Sequence, residues 1–325
     1  MNANPDTILA VAGLTLARGP RHRPEILVDD LSLTIQAGEM LALVGESGSG
    51  KSLSAAAVFG LLPAGVRRIA GSIRLQGQEL TGRSERALRA IRGRAMGLVF
   101  QNPLTALNPS LSVQAQIAEV YRVHRQGSRT AARARASALL AEVGLQDLSG
   151  PRDHYPHQLS GGMRQRAMIA MALACDPPLL VADEPTTALD VLVQAQILAL
   201  LARLQRERGL AILFITHDLR LAARTADRLL VLYAGAIMEE GAVADVFEAP
   251  RHPYTKALKA AIPPLPATSQ RLFEIPGLPP PPGPPPSGCR FAPRCGHVRP
   301  DCRDAVPPLR GAPARFACFH PCQDQ

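Results

Sequence analysis

Tryptophan is missing from this 325-residue chain and aromatics make up only 4% of it, so a stacking platform for single-stranded nucleic acid is poorly supplied. Lysine is nearly missing too, with Lys51, Lys256 and Lys259 the only three, and arginine carries almost all of the +9 net charge. Such a charge permits a nucleic-acid or anionic-membrane partner, but a solvated arginine-rich surface accounts for it without one. No run of 18 apolar residues occurs, so the chain is not expected to span a membrane by itself. The polar start, Met1–Thr7, lacks the basic-then-apolar pattern of a secretory signal, and a cytoplasmic location is expected. No internal repeat is evident, which fits one nucleotide-binding domain rather than a fused pair.

With 46% hydrophobic and 19% charged residues, the chain is ordinary for a globular protein and long enough for about two domains. Its lone central lysine lies in Gly45-Glu46-Ser47-Gly48-Ser49-Gly50-Lys51-Ser52, after the apolar run Leu41–Val44 and before a small-residue helical run, Leu53–Leu62. Strand, glycine loop, lysine, hydroxyl and helix stand in the order a P-loop needs. Gly45, Gly48 and Gly50 let successive N–H groups turn inward around a phosphate, and the helix N-terminus adds its dipole. Lys51 is expected to reach the β- and γ-phosphates and Ser52 to ligate Mg²⁺.

Ile8–Leu16 and Leu27–Ile35 read as strands, as do Gly71–Leu75 and Met96–Phe100. Between Leu104 and Leu159 the pattern turns helical, with Val113–Arg125 and Arg129–Val143 rich in Ala and Arg. The apolar run Leu179–Ala182, a helix over Val191–Arg208 and the apolar strand Ala211–Ile215 restore an alternation of strand and helix. That alternation predicts an α/β fold with a largely parallel sheet.

Leu179-Leu180-Val181-Ala182-Asp183-Glu184 is an apolar strand ending in two carboxylates. After a P-loop, Asp183 is placed to hold Mg²⁺ and Glu184 to orient and polarise the attacking water. Leu159-Ser160-Gly161-Gly162-Met163-Arg164-Gln165 opens another helix. Ser160 is a good N-cap, but two glycines behind it are costly for capping alone and make sense where backbone approaches a phosphate closely.

Leu-Ser-Gly-Gly-Met-Arg-Gln resembles the signature motif of ATP-binding-cassette (ABC) ATPases, and further landmarks follow in that family's order. Gln101 matches the Q-loop, Asp190 in Ala188-Leu189-Asp190 the D-loop, and His217 in Ile215-Thr216-His217-Asp218 the switch histidine. The resemblance runs from about Ile8 to Val246. It implies a P-loop NTPase of ABC type, a mixed sheet core with a helical subdomain at about 104–175, and ATP sandwiched in a head-to-tail dimer. On that basis Gly45–Ser52 binds ATP, and Mg²⁺ is held through Ser52, Gln101 and Asp183. Glu184, His217 and Gln101 form the catalytic set, and Ser160, Gly161, Gly162 and Gln165 serve the opposite subunit's ATP. The family's usual adenine-stacking aromatic has no counterpart in Leu14-Thr15-Leu16-Ala17-Arg18.

Phe100–Pro109, Glu184–Val191 and His252-Pro253-Tyr254-Thr255 are similar to the dipeptide, oligopeptide and nickel importer group. That similarity implies a peripheral ATPase on the cytoplasmic face of the inner membrane. Its implied partners are two integral permease subunits, an identical or paralogous ATPase and a solute-binding protein. A nickel or metal-chelate cargo is the alternative; a soluble ATPase acting on nucleic acid or ribosomes is the rival from another class, though no nucleic-acid partner is expected.

Past the ATPase domain (1–250) come a helical extension (251–275), a proline-rich linker (276–287) in which eight of twelve residues are proline, and a tail (288–325). Such a linker is expected to be an extended spacer. Five of the six cysteines lie in the tail, with Cys289, Cys295, Cys302 and Cys318 spaced C-x5-C-x6-C-x15-C. This is not the paired C-x2-C of a zinc ribbon. Four thiolates on irregular loops can hold a [4Fe–4S] cluster, which the resemblance also implies. Zinc, with Cys322, His297 and His320 as further donors, and unliganded thiols are the alternatives. Cys175, alone in an apolar run, is expected to pack as a small hydrophobe.

Overall fold

The computed structural model describes residues 6–125, 127–149, 154–263, 273–281, 283–284 and 286–322. Part of the expected helical extension (264–272) and two linker positions (282 and 285) lie outside them. The elements in chain order are β1 (Thr7–Arg18), β2 (Glu25–Gln36), β3 (Met40–Val44), α1 (Lys51–Phe59), β4 (Val66–Leu75), β5 (Gln78–Glu79) and α2 (Glu85–Ile91). Next come β6 (Met96–Val99), α3 (Pro103–Ala106), α4 (Val113–Arg125), α5 (Arg129–Glu142), α6 (Gly161–Ala172), β7 (Leu179–Asp183) and α7 (Val191–Arg208). The last are β8 (Ala211–Thr216), α8 (Leu219–Thr225), β9 (Arg228–Tyr233), β10 (Ala236–Ala242), α9 (Pro253–Ala260), α10 (Asp301–Asp304) and β11 (Arg315–Phe316).

The described residues form two compact units. The first holds the described parts of 6–8, Ile35–Glu39 and Gly82–Ile215. In it β6, β7 and β8 run parallel, with Met96 facing Leu179 and Leu179 facing Ala211. The apolar residues of β7 and all of β8 are buried, as continuous apolar strands covered on both faces should be. The helices α4, α5 and α6 pack in the same unit, α5 capped by Ser128, whose Oγ accepts the Ala131 N–H at 3.1 Å. Arginine supplies the ties here: Asp176 Oδ1 accepts from Arg135 at 2.6 Å and from Arg208 at 2.8 Å, joining α5, α7 and the turn before β7.

The second unit holds Leu9–Thr34, Met40–Thr81 and the described residues after Ile215. One sheet has the order β2-β1-β4-β5, with β1 and β4 antiparallel through an irregular register near Thr15. In the other, β3 runs parallel to β9, and β10 and then β11 follow antiparallel. β3 is buried at every residue. The tail therefore contributes an edge strand to the sheet that carries the P-loop, reinforced by an ion pair between Arg315 and Glu240. Gly283 in the proline-rich segment accepts the Ile26 N–H at 3.0 Å. Proline removes donors but leaves carbonyls, so a segment expected to be a spacer pairs with β2 through an acceptor.

Candidate functional site

In the second unit the chain leaves β3, turns through the glycine loop and enters α1. The loop's glycines have separate physical reasons. A Cβ at Gly45 would lie 2.1 Å from the Leu232 carbonyl oxygen, whereas Gly50 is the left-handed N-cap of α1, at φ +102°. Neither position admits another residue without strain. Lys51 is 4% exposed, and its ammonium donates to the Gly45 and Glu46 carbonyls at 2.8 and 2.9 Å. This holds a single compact cation beside the N-terminus of α1, where free N–H groups and the helix dipole favour an anion. Ser52 is exposed on the first turn of α1.

Glu46 behaves differently from its neighbours. Its N–H donates to the Tyr254 hydroxyl at 3.0 Å, and its carboxylate accepts from Arg294 of the tail. Tyr254 packs against Tyr233 and Phe291, with ring centroids at 4.6 and 5.2 Å. Burial pushes the Tyr254 hydroxyl above its ordinary range, so it stays protonated and fixed as a hydrogen-bonding group. In the same unit His217 is exposed at the end of β8. Asp218 beside it caps α8, accepting from the Arg220 and Leu221 N–H groups at 2.8 and 3.1 Å.

In the first unit β7 delivers Asp183 and Glu184. Glu184 has φ +47°, an uncommon backbone state for a side chain that is not glycine, and such strain concentrates at functional sites. Its Oε2 accepts from Gln101 Nε2 at 3.0 Å and Thr187 Oγ1 at 2.9 Å. Two donors thus orient one carboxylate, and the sequence-expected pair Gln101 and Glu184 is brought together. Thr187 was not singled out from the sequence; its place three residues after Glu184 was the available signal.

Ser160 is the N-cap of α6, its Oγ accepting from the Met163 N–H at 3.3 Å, and Asp190 caps α7 through Val193 at 2.9 Å. A Cβ on Gly162 would meet Val193 Cγ1 at 2.5 Å, and one on Gly161 would meet Leu189 Cδ2 at 3.2 Å. Gly161 and Gly162 therefore let α6 approach the start of α7. Gln165 is 2% exposed, placed inside the unit, while Ser160 and Gly161 are exposed. Val191 and Leu192, next to Asp190, are 79% and 77% exposed, an apolar pair beside the exposed signature.

The tail cysteines converge. Cys289, Cys295, Cys302 and Cys318 line one pocket, with Phe291, His297 and His320 around it. Cys289 N–H donates to the Cys302 carbonyl at 2.8 Å, and the His297 N–H to Cys295 Sγ at 3.4 Å. Burial pushes the thiols of Cys289 and Cys295 up and that of Cys318 up to about 11. Such thiols ionise at neutral pH only against a bound cation, and the His297 N–H···S contact is of the kind a metal-bound thiolate accepts. The donor set therefore fits a thiolate-held metal group. Among the described residues, the grouping whose ligand atoms lie within reach of one another is Asp301, Cys302 and His320. Cys175 is buried as a free thiol.

A strand–glycine loop–lysine–helix cradle, an oriented carboxylate after a buried strand, and a capped glycine-glycine helix define an ATP-binding cassette. Residues 28–187 match the family model described as ABC transporter, and residues 238–302 match the oligopeptide/dipeptide transporter C-terminal region. The chain is 44% identical to the dipeptide transport ATP-binding protein DppD of Escherichia coli, with 98% of each covered. It is 46% identical to the oligopeptide transport ATP-binding protein OppD of Salmonella typhimurium, covering 91% of this chain and 89% of that one. Among solved structures, a dimeric ATP-binding cassette in a post-hydrolysis state with ADP and phosphate is 28% identical, with a TM-score of 0.65 over 73% of this chain and 99% of that one. The chain belongs to the ABC transporter family, as one of its ATP-binding, ATP-hydrolysing subunits. Within that family it carries the oligopeptide/dipeptide C-terminal region.

Proposed function

We propose that this ATPase powers import of dipeptides or oligopeptides through two membrane-embedded permease subunits, with a solute-binding protein delivering the cargo. The observation that carries the reading is that similarity to dipeptide and oligopeptide transport proteins continues through the tail. Among the described residues no helix is long and apolar enough to cross a membrane, so the translocation path falls to partner subunits. The chain then works peripherally, on the cytoplasmic face.

In this reading Gly45–Ser52 cradles the triphosphate, Lys51 neutralises its β- and γ-oxygens, and Ser52, Gln101 and Asp183 hold Mg²⁺. Glu184, oriented by Gln101 and Thr187, takes a proton from the attacking water, and His217 stabilises the γ-phosphate. Ser160, Gly161 and Gly162, exposed or partly so, act on the ATP of a second ATPase subunit. The exposed Val191 and Leu192 beside Asp190 support burial against that subunit. Cys289, Cys295, Cys302 and Cys318 hold a [4Fe–4S] cluster whose contribution is structural, cross-linking four irregular segments; zinc is the alternative. Iron, acid-labile sulfide and zinc analysis of anaerobically purified protein separates the two.

Affinity purification of the tagged chain from its native membrane tests the partner set. Recovery of two integral membrane subunits, with ATPase activity raised by a peptide-loaded binding protein, is the expected result. Stimulation by nickel alone, or recovery with RNA and no membrane subunit, overturns the peptide reading.

A further inference from the structure

The glycine loop carries a carboxylate. Within Gly45–Ser52 the one cation, Lys51, and the one anion, Glu46, cancel in formal charge, so the loop by itself has no surplus to offer a triphosphate. The Glu46 peptide cannot swing the charge away. Its carbonyl accepts from Lys51 Nζ at 2.9 Å, and its N–H donates to the Tyr254 hydroxyl at 3.0 Å. The carboxylate is thus held beside the phosphate cation with only 24% of its side chain exposed, too little for water alone to mask it.

Arg294 restores the balance from the tail. Its guanidinium donates to both Glu46 oxygens, its side chain is 5% exposed, and its plane is steadied by the Tyr233 ring, whose centre lies 5.7 Å away. A guanidinium so placed stays charged at every working pH. We infer that Arg294 is a positioning residue of the ATP site: it neutralises Glu46 and leaves the charge of Lys51 to the nucleotide. The inference rests on reading Gly45–Ser52 as the triphosphate cradle. It gives the tail an electrostatic part in nucleotide binding, separate from any stability the fork supplies. A brace and a counter-ion make opposite predictions. If the fork only braces the loop, breaking it from either side weakens binding. If it balances charge, losing the arginine harms binding and losing the carboxylate helps it.

Equilibrium binding of MgATP and MgADP to the full-length chain, at low and at high ionic strength, tests this. Arg294→Ala should weaken MgATP by about tenfold at low salt, and MgADP, which carries less charge, by a smaller factor. High salt should narrow both gaps. Glu46→Gln should tighten MgATP by about threefold, because the Arg294 charge is then unmatched. Arg294→Ala/Glu46→Gln removes both charges together and should bind MgATP within about threefold of the wild type. That double variant buries no uncompensated ion, so it tests the inference where the single arginine variant does not fold. Unchanged affinity in Arg294→Ala, no tightening in Glu46→Gln, or a double variant about tenfold weaker than the wild type overturns the proposal. A wild-type chain that binds neither nucleotide overturns the P-loop reading itself.

Discussion

Arg294 of the tail and Glu46 of the P-loop are joined by two parallel hydrogen bonds, Nη1 to Oε2 at 2.6 Å and Nη2 to Oε1 at 3.1 Å. The pair spans 248 residues of sequence. The Arg294 side chain is 5% exposed, and its remaining donors reach the Pro276 carbonyl at 2.9 Å, the Ile275 carbonyl at 3.3 Å and the Tyr233 hydroxyl at 3.3 Å. The hydrogen-bonded Glu46 carboxylate holds the guanidinium more firmly protonated than usual. Such a fork matches a carboxylate in a way lysine cannot. The segment between two tail cysteines is thereby bolted to the loop that is read as holding the phosphates.

Removing one partner of this pair should cost more than the pair itself contributes. Glu46→Ala leaves Arg294 buried without its counter-charge, and a loss of about 2–3 kcal/mol is expected, at the low end for buried pairs because Glu46 keeps some solvent contact. Chemical denaturation measures it. A change below about 0.5 kcal/mol, the size of an exposed pair, would show that the contact is decorative.

Glu184→Gln keeps the shape of the side chain and removes its basicity. ATP turnover should fall by about 10²–10⁴ while ATP binding persists. Single-turnover hydrolysis with a parallel binding titration separates the two; turnover within a few-fold of wild type rules out Glu184 as the proton acceptor.

Gly162→Ala sets two effects against each other. Alanine favours helix by about 1 kcal/mol over glycine, but the new methyl meets Val193 Cγ1 at 2.5 Å. Overpacking of this kind costs about 1–3 kcal/mol, so a net loss of stability is expected. Val193→Ala in the same chain should restore it. If activity stays low in the double variant, Gly162 also matters for the phosphate it is proposed to approach.

Buried Glu239 gives a pH signature. Desolvation raises its pKa above the ordinary 4.5, against the N–H groups of Arg251 and His252, which donate at 2.7 and 3.1 Å. A raised folded-state value means the native state holds this proton more tightly than the unfolded chain. The contribution is therefore complete below about 4.5 and is lost as pH rises through the folded value, at up to about 1.4 kcal/mol per pH unit. Glu239→Gln cannot titrate. The stability difference between the wild type and this variant should shift against the wild type across that window and then level off. A difference independent of pH from 4 to 8 contradicts the assignment.

Local order was legible in the sequence and long-range joinery was not. The strand–loop–helix around Lys51, the carboxylates after β7 and the bounds of α4 and α7 follow from periodicity, glycine placement and capping, all written within a few residues. Arg294 carried no such signal, because its partner lies on another element and arginine is common throughout this chain. The proline-rich segment read as a spacer since proline lacks donors; its carbonyls, the half that pairs with Ile26 and Arg294, have no sequence signature. Gly162 was read as clearance for a phosphate, and the clearance for Val193 became visible only once α6 and α7 were packed.

The most direct test is uptake of a labelled dipeptide into proteoliposomes holding the permease subunits, the ATPase subunits and the binding protein. Uptake should require internal MgATP and disappear with Glu184→Gln in this chain. Undiminished uptake with that variant, or ATP-driven movement of a metal chelate but of no peptide, contradicts the account.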